Sequence, residues 1–251
     1  MNGELEKRVS GWLEGRVDAF GFAPVERFEE APDEHHPRRI CRDAAAVIVY
    51  GLTVPRAVLA SPAYGLHLLQ RSYHTAYPYL DQVGLDLSRL LEVLGHPAVV
   101  IPSYAPLVFQ GLEPWGLLSL KHAAVQAGLG SFGRSGMVYH PRFGSLLRLG
   151  AVVTAAPLAG SPKNEVDPCP PGCNACREGC PSGAYGKDGF QKMVCLGYSI
   201  KHGIYRHVLT DDYGRENFEM VVNTTGYNYW IDCTECQKVC PLNSKGTPNG
   251  E

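Results

Sequence analysis

Long apolar runs are missing from this 251-residue chain. No stretch approaches the roughly 18 consecutive apolar residues that a membrane-spanning helix needs. The opening residues Met1-Asn2-Gly3-Glu4-Leu5-Glu6-Lys7-Arg8 also lack the apolar segment of a secretory signal. No membrane role is expected, and a cytoplasmic location is. Charge of one sign is missing too: 23 Lys and Arg stand against 25 Asp and Glu, a formal net charge of −2. Phosphate backbones are bound by basic faces, so a nucleic acid is not expected as partner. Beyond two cysteine groups there is no internal repeat and no low-complexity tract, and aspartate is absent between Asp86 and Asp167. The remaining composition, 45% hydrophobic and 19% charged, is that of an ordinary globular protein able to bury a core.

Cysteine is what is there in excess, and it is unevenly placed. Eight of the nine cysteines lie between Cys169 and Cys240. The first group reads Cys169-Pro170-Pro171-Gly172-Cys173-Asn174-Ala175-Cys176-Arg177-Glu178-Gly179-Cys180-Pro181. After it come Cys195 alone and then Cys233-Thr234-Glu235-Cys236-Gln237-Lys238-Val239-Cys240-Pro241. Bacterial ferredoxins use the run C-x2-C-x2-C-x3-C-P, whose fourth cysteine ligates the other [4Fe–4S] cluster. Soft thiolates suit that role, and the closing proline turns the chain away after the last ligand. A disulfide framework belongs to small secreted domains. A zinc ribbon would use Cys173, Cys176, Cys233 and Cys236, but it leaves Cys169, Cys180, Cys195 and Cys240 without a role. Two [4Fe–4S] clusters are expected. The crossover rule groups Cys169, Cys173 and Cys176 with Cys240, and Cys195, Cys233 and Cys236 with Cys180. Cys169 departs from the pattern, being three residues rather than two from Cys173. Cys41 lies outside both groups and is not expected to ligate.

Helices and short buried strands alternate before the cysteines. Apolar spacing predicts helices over 3–19, 66–94 (interrupted near Pro78) and 117–127, the last closed by Gly128-Leu129-Gly130. Strands are expected at 22–25, 44–52, 98–102, 137–139 and 146–155. The charged stretch Glu29–Arg39 reads as an exposed loop, with His35 and His36 as solvated polar residues rather than a metal pair. Tyr73, His74, Tyr77 and Tyr79 either line a pocket or simply pack. Pro157–Pro168 reads as a boundary. The expected fold class is α+β: a layered α/β domain with a mixed sheet over residues 1–158, then a small ferredoxin-like domain over 159–251.

Three stretches carry a resemblance. Ala127-Gly128-Leu129-Gly130-Ser131-Phe132-Gly133-Arg134-Ser135-Gly136-Met137 is the first, and Phe143-Gly144-Ser145-Leu146 through Thr154 is the second. The third is the complete cysteine order, with Cys195-Leu196-Gly197-Tyr198 as its isolated member. Together they resemble the epoxyqueuosine reductase family and its relatives among corrinoid-dependent iron–sulfur reductases, including reductive dehalogenases. The resemblance implies a base-off cobalamin held by the α/β domain beside one cluster. The clusters would deliver electrons singly, for reduction of a small molecule.

In that setting Gly128, Gly130, Gly133, Gly144, Ser145 and Gly150 are candidate cofactor-binding residues, since glycine lets a backbone approach a flat macrocycle. The alternative reading is that Gly128 and Gly130 merely cap a helix and open a turn. Lys121 and Arg142 are candidate contacts for an anionic cofactor tail, with Tyr139 and His140 as lesser ones. Two departures from the family matter. Its general-acid Asp has no counterpart, the corresponding stretch being Leu112-Glu113-Pro114-Trp115. The chain also ends at Glu251, without the helical-repeat extension that helps family members hold tRNA. His122 and Glu113 are the candidate proton donors. The competing reading is an electron-transfer partner of another corrinoid enzyme, with a redox partner protein and no substrate of its own.

Overall fold

Residues 2–104, 108–110, 113–187, 189–201 and 230–244 are described by the computed structural model. Helix α1 (Asn2–Leu13) turns Val9 and Leu13 inward and is followed by Gly15 at φ +74, a conformation open to glycine. Strand β1 (Ala19–Pro24) follows, then the short helix α2 (Pro37–Ile40) and strand β2 (Ala46–Thr53). Helix α3 (Gly65–Val93) is 29 residues long and leads into β3 (Ala98–Ile101). A hairpin of β4 (Val108–Gln110) and β5 (Glu113–Trp115) comes next, then α4 (Leu120–Gln126). A second hairpin, β6 (Ser131–Phe132) and β7 (Val138–Tyr139), precedes the long strand β8 (Leu147–Thr154).

The sheet order is β1-β2-β8-β3, and every pairing is antiparallel. This corrects the mixed sheet expected from alternating helices and strands. β2 and β3, joined through α3, do run the same way, but β8 inserts between them in the opposite direction. The crossover therefore spans one strand and never brings two parallel strands into contact.

Alternation of side chains along the strands builds two cores. On one face Phe22, Ile48, Tyr50 and Val152 pack against Val9, Leu13, Leu80, Leu87 and Leu91 of α1 and α3. On the other, Ala23, Val47, Val49, Ala151 and Val153 pack against Ala123, Ala124 and Ala127 of α4 and its C-terminal turn. With helices on both faces β2 is apolar without a break, from Ala46 to Tyr50. Each fully buried leucine of α3 contributes about 1.5–3 kcal/mol. That packing holds α3 in one piece through Pro78, where an interruption was expected.

The Glu29–Arg39 stretch departs from expectation as well. His35 is buried and stacks on Trp115, with ring centroids 5.1 Å apart and planes 15° apart. Beyond β8 the chain does not leave the sheet. Ser161 donates its backbone N–H to the Phe22 carbonyl, and its Oγ accepts from the Phe22 N–H, both at 2.9 Å, along the outer edge of β1. The cysteine-bearing half then has, among the described residues, two short ribbons and four short helices. In order these are α5 (Ala175–Glu178), β9 (Tyr185–Gly186), β10 (Gly189–Phe190), α6 (Lys192–Ser199), β11 (Ile200–Lys201), β12 (Trp230–Ile231), α7 (Glu235–Lys238) and α8 (Pro241–Ser244). No helix among the described residues is long and apolar enough to cross a membrane.

Candidate metal centre

The β6–β7 hairpin is where the α/β half meets the cysteines. Gly133 has no room for a side chain: a Cβ there would lie 2.5 Å from the Tyr139 ring and 3.3 Å from Cys169 Sγ. That close approach lets the next residue, Arg134, donate its backbone N–H to Cys169 Sγ at 3.3 Å. The Arg134 guanidinium reaches the carbonyls of Cys173 and Pro170. Tyr139, buried on β7, places its hydroxyl 3.0 Å from Ser135 Oγ and lines the same cavity as Cys240. Cys169, Cys173, Cys176 and Cys240 line one small cavity, walled on the α/β side by Arg134, Ser135 and Tyr139. Among the described residues no three Cys, His, Asp or Glu converge as they would on a single metal ion. The four cysteines share one cavity, and four cysteine thiolates are the donor set of a [4Fe–4S] core.

The other four cysteines are electrostatic neighbours of one another. Burial first, then Cys195 and Cys233, push the Cys236 thiol up to about 12. Cys233 is raised by burial and, more weakly, by Cys195 and Cys180. Cys180 differs. Burial raises it, but hydrogen bonds from the Ser182 hydroxyl and from the N–H groups of Ala184, Ser182 and Gly183 outweigh that effect, and its thiol is lowered. In the first set, burial and then Cys240 and Cys169 raise Cys176. Raised thiols hold their protons until a cation is present to stabilise the thiolates, so the donor chemistry fits metal loading with proton release. Helices α5 and α7 pack on each other and carry Cys176 and Cys236, which brings the two sets side by side.

A buried polar clamp joins the last cysteine to the sheet domain. Asn243, three residues past Cys240, accepts the Ser145 N–H at 2.9 Å and donates to Ser145 Oγ at 2.8 Å and to the Gln237 carbonyl at 2.9 Å. Gln237 donates to the Ser145 carbonyl and accepts from the Tyr73 hydroxyl. Arg56 bonds the carbonyls of Asn243 and Arg142.

The candidate cofactor residues are therefore occupied with the chain itself. Ser145 belongs to the clamp, and a Cβ on Gly144 would meet Asn243 Oδ1 at 2.4 Å. Gly128, at φ +77, closes α4 with the paired bonds Gly128 N to Val125 O and Leu129 N to Ala124 O. Gly130 lies on the Tyr139 carbonyl, and Gly150 lies on the Tyr50 ring. The Arg142 guanidinium stands over Phe143, 5.2 Å from the ring centroid. His140 Nδ1 accepts the backbone N–H of Arg142 and of Phe143. Among the aromatics of α3, Tyr73 lies under Arg148, 4.7 Å from the guanidinium carbon, and Tyr79 bonds the Arg16 carbonyl. Packing accounts for both.

His122 hydrogen-bonds Ser119 Oγ at 2.7 Å, and its ring lies on Phe132. Desolvation and the adjacent Lys121 lower it, so the imidazole is neutral at pH 7. Lys121 donates to the Gly136 carbonyl and is itself lowered by desolvation and by Lys192. Lys192 stands over Trp115, 4.2 Å from the ring centroid. The backbone of Glu113 is in β5, and its side chain lies outside the described residues. Arg134, Asn243 and Gln237 were not singled out from the sequence. Arg134 sits inside the quoted glycine-rich stretch, and Asn243 follows the second Cys-Pro.

No protein-family model matches the chain. Among curated proteins it is 30% identical over 223 residues to the epoxyqueuosine reductase of Listeria monocytogenes, which covers 83% of this chain and 51% of that protein. The chain is similar, as a divergent sequence, to the epoxyqueuosine reductases. A second such reductase, from Bacillus cereus, is 25% identical over 249 residues, 90% of this chain and 61% of its own length. The chain thus spans about half the length of the Listeria reductase. Solved structures share the fold. The epoxyqueuosine reductase of Streptococcus thermophilus matches 100% of this chain and 69% of its own with TM-score 0.62 at 16% identity. A catabolic reductive dehalogenase matches 99% of this chain and 33% of its own, also with TM-score 0.62 at 16% identity. A third structure, matching 98% of this chain and 67% of its own at TM-score 0.61 and 18% identity, is of an epoxyqueuosine reductase with an epoxyqueuosine-modified tRNA stem loop.

Proposed function

We propose that the protein is an iron–sulfur oxidoreductase of this family that reduces a small molecule with the help of a corrinoid-type cofactor. The observation that supports it best is the gathering of eight cysteines into two adjacent sets of four, in a chain whose curated relatives are named reductases. Cys169, Cys173, Cys176 and Cys240 would hold one [4Fe–4S] cluster, and Cys180, Cys195, Cys233 and Cys236 the other. When bound, the clusters supply single-electron transfer and the corrinoid supplies a metal centre for a difficult reduction. The chain's own residues supply the enclosure. Tyr139 and Arg134 close the first set from the sheet side, and the Asn243 clamp keeps the two halves in register. His122, neutral at pH 7, is suited to accept or relay a proton rather than to start as the acid; Glu113 on β5 is the candidate acid.

A second reading is an electron-transfer partner of another corrinoid enzyme. It is favoured by the packing of Gly128, Gly130, Gly144 and Gly150 against the chain itself. One experiment separates the two. Anaerobically purified protein is expected to carry about eight iron and eight sulfide. Titration with cob(II)alamin is then expected to convert a base-on EPR pattern to base-off. Cobalamin that stays base-on and free removes the corrinoid from the proposal and leaves the partner reading. Epoxyqueuosine in a tRNA stem loop, offered to the loaded protein, is expected to stay unreduced because β5 carries Glu113-Pro114-Trp115 and no Asp. Turnover would place this chain in the same reaction as its relatives.

A further inference from the structure

The Cys169–Cys173 loop is one residue longer than the ferredoxin spacing. That surplus must be folded away if the Cys169 sulfur is to reach the cavity it lines with Cys173 and Cys176. A tight turn does this. The Cys173 N–H donates to the Pro170 carbonyl at 3.1 Å, and Gly172 stands at φ +73 directly after Pro171. Proline followed by a left-handed glycine is the pattern of a type II turn, here over Pro170–Cys173. A Cβ on Gly172 would meet nothing within 4 Å, so among the described residues the tip of the turn has no packing to hold it. Arg134 supplies the hold. Its Nη1 donates to the carbonyls of Pro170, at 3.5 Å, and of Cys173, the two ends of the turn. Its backbone N–H donates to Cys169 Sγ at 3.3 Å, while the Cys169 N–H is taken by Asp167 Oδ1 at 2.9 Å. One residue of the β6–β7 hairpin thus touches Cys169, Pro170 and Cys173 together.

We propose that Arg134 is the positioning residue that makes Cys169 a cluster ligand in spite of its wide spacing, a role that rests on the two-cluster reading above. Its side chain brings a full positive charge to two neutral carbonyls, and charge-assisted bonds are the stronger kind. Without them the turn is held at neither end, and the Cys169 sulfur loses its fixed place. A [4Fe–4S] core with a cysteine out of place has one iron short of a thiolate. When ferricyanide takes an electron from such a cluster, the unheld iron leaves as a ferrous ion and a three-iron cluster remains. An oxidised three-iron cluster is paramagnetic, whereas an intact oxidised four-iron cluster is EPR-silent.

The test uses the full chain, purified anaerobically as parent, Arg134→Met and Cys169→Ala, with iron counted and EPR recorded after mild ferricyanide oxidation. Methionine keeps the stem of Arg134 and removes only its donors. The parent is expected to carry about eight iron and to stay EPR-silent. Arg134→Met is expected to match Cys169→Ala in both readouts, each losing about one iron and showing the three-iron signal. Arg134→Met that keeps all its iron and stays silent overturns the assignment. Iron lost from both clusters together overturns it too, because Arg134 would then support the fold rather than Cys169. A three-iron signal already in the parent, or silence in Cys169→Ala, shows that Cys169 does not ligate and has the same effect. A parent without iron overturns the two-cluster reading itself, and its count reveals that before any variant is compared.

Discussion

The two sets of four cysteines are closed by different kinds of scaffold. The first set is walled by another part of the molecule: the β6–β7 hairpin, through Gly133, Arg134 and Tyr139, and the clamp of Asn243 on Ser145. The second set draws its hydrogen bonds from its own neighbourhood, with Ser182, Gly183 and Ala184 around Cys180. It also keeps apolar residues of α6 in solvent, among them Met193, Val194 and Tyr198 beside Cys195. A set closed from afar depends on the tertiary fold. A set closed locally depends on its loop. Perturbing the domain contact should therefore damage one and spare the other.

The largest expected effect comes from the ligands. Cys176→Ser or Cys236→Ser is expected to lose half or more of the iron, whereas Cys41→Ser, buried against Ala44 and Phe28 in the sheet core, is expected to lose none. Iron analysis after anaerobic purification decides it, and equal loss from Cys41→Ser would undo the assignment. Next is the clamp. Asn243→Ala strips the Ser145 N–H and the Gln237 carbonyl of buried partners, a destabilisation of about 3 kcal/mol. Urea unfolding should show it, and iron should be lost faster from the first set than from the second on exposure to chelator. Equal loss from both would erase the distinction between the scaffolds.

The smallest effect is one of pH. Burial, and secondarily Arg142, lower His140, whose Nδ1 must stay unprotonated to accept two backbone N–H groups. Its folded pKa lies below the unfolded value near 6.5. The unfolded state therefore binds more protons between the two values, and stability falls as pH drops through that window. The urea midpoint is expected to decline between pH 7 and pH 5.5, and to decline less in His140→Asn.

What was legible in the sequence followed from local chemistry. The apolar run over 44–52 reads as a buried strand, which β2 is from Ala46, and Gly128 marks the end of α4. The cysteine spacing grouped Cys169, Cys173 and Cys176 with Cys240, and all four line one cavity. What was not legible depended on pairings far apart in sequence. Nothing local in β8 says that it slides between β2 and β3, so the sheet was read as mixed. The charged residues around His35 hid the fact that its ring is sheltered by Trp115, 80 positions away. Ser145 and Gly144 carry no local sign of their contact with Asn243, which is 98 residues beyond Ser145. Glycines and small polar residues serve close approach of any kind, and the sequence does not say to what.

Ser161 gives the order of the chain a further meaning. β1 is an outer strand of the sheet, and such an edge offers free N–H and C=O groups to any passing strand. Here the segment that leaves the sheet domain doubles back and covers that edge at Phe22. The connection between the halves is thus also a guard against self-association. A fragment cut after Leu158 would keep the sheet and lose its cover, and it should clump where the whole chain stays dispersed.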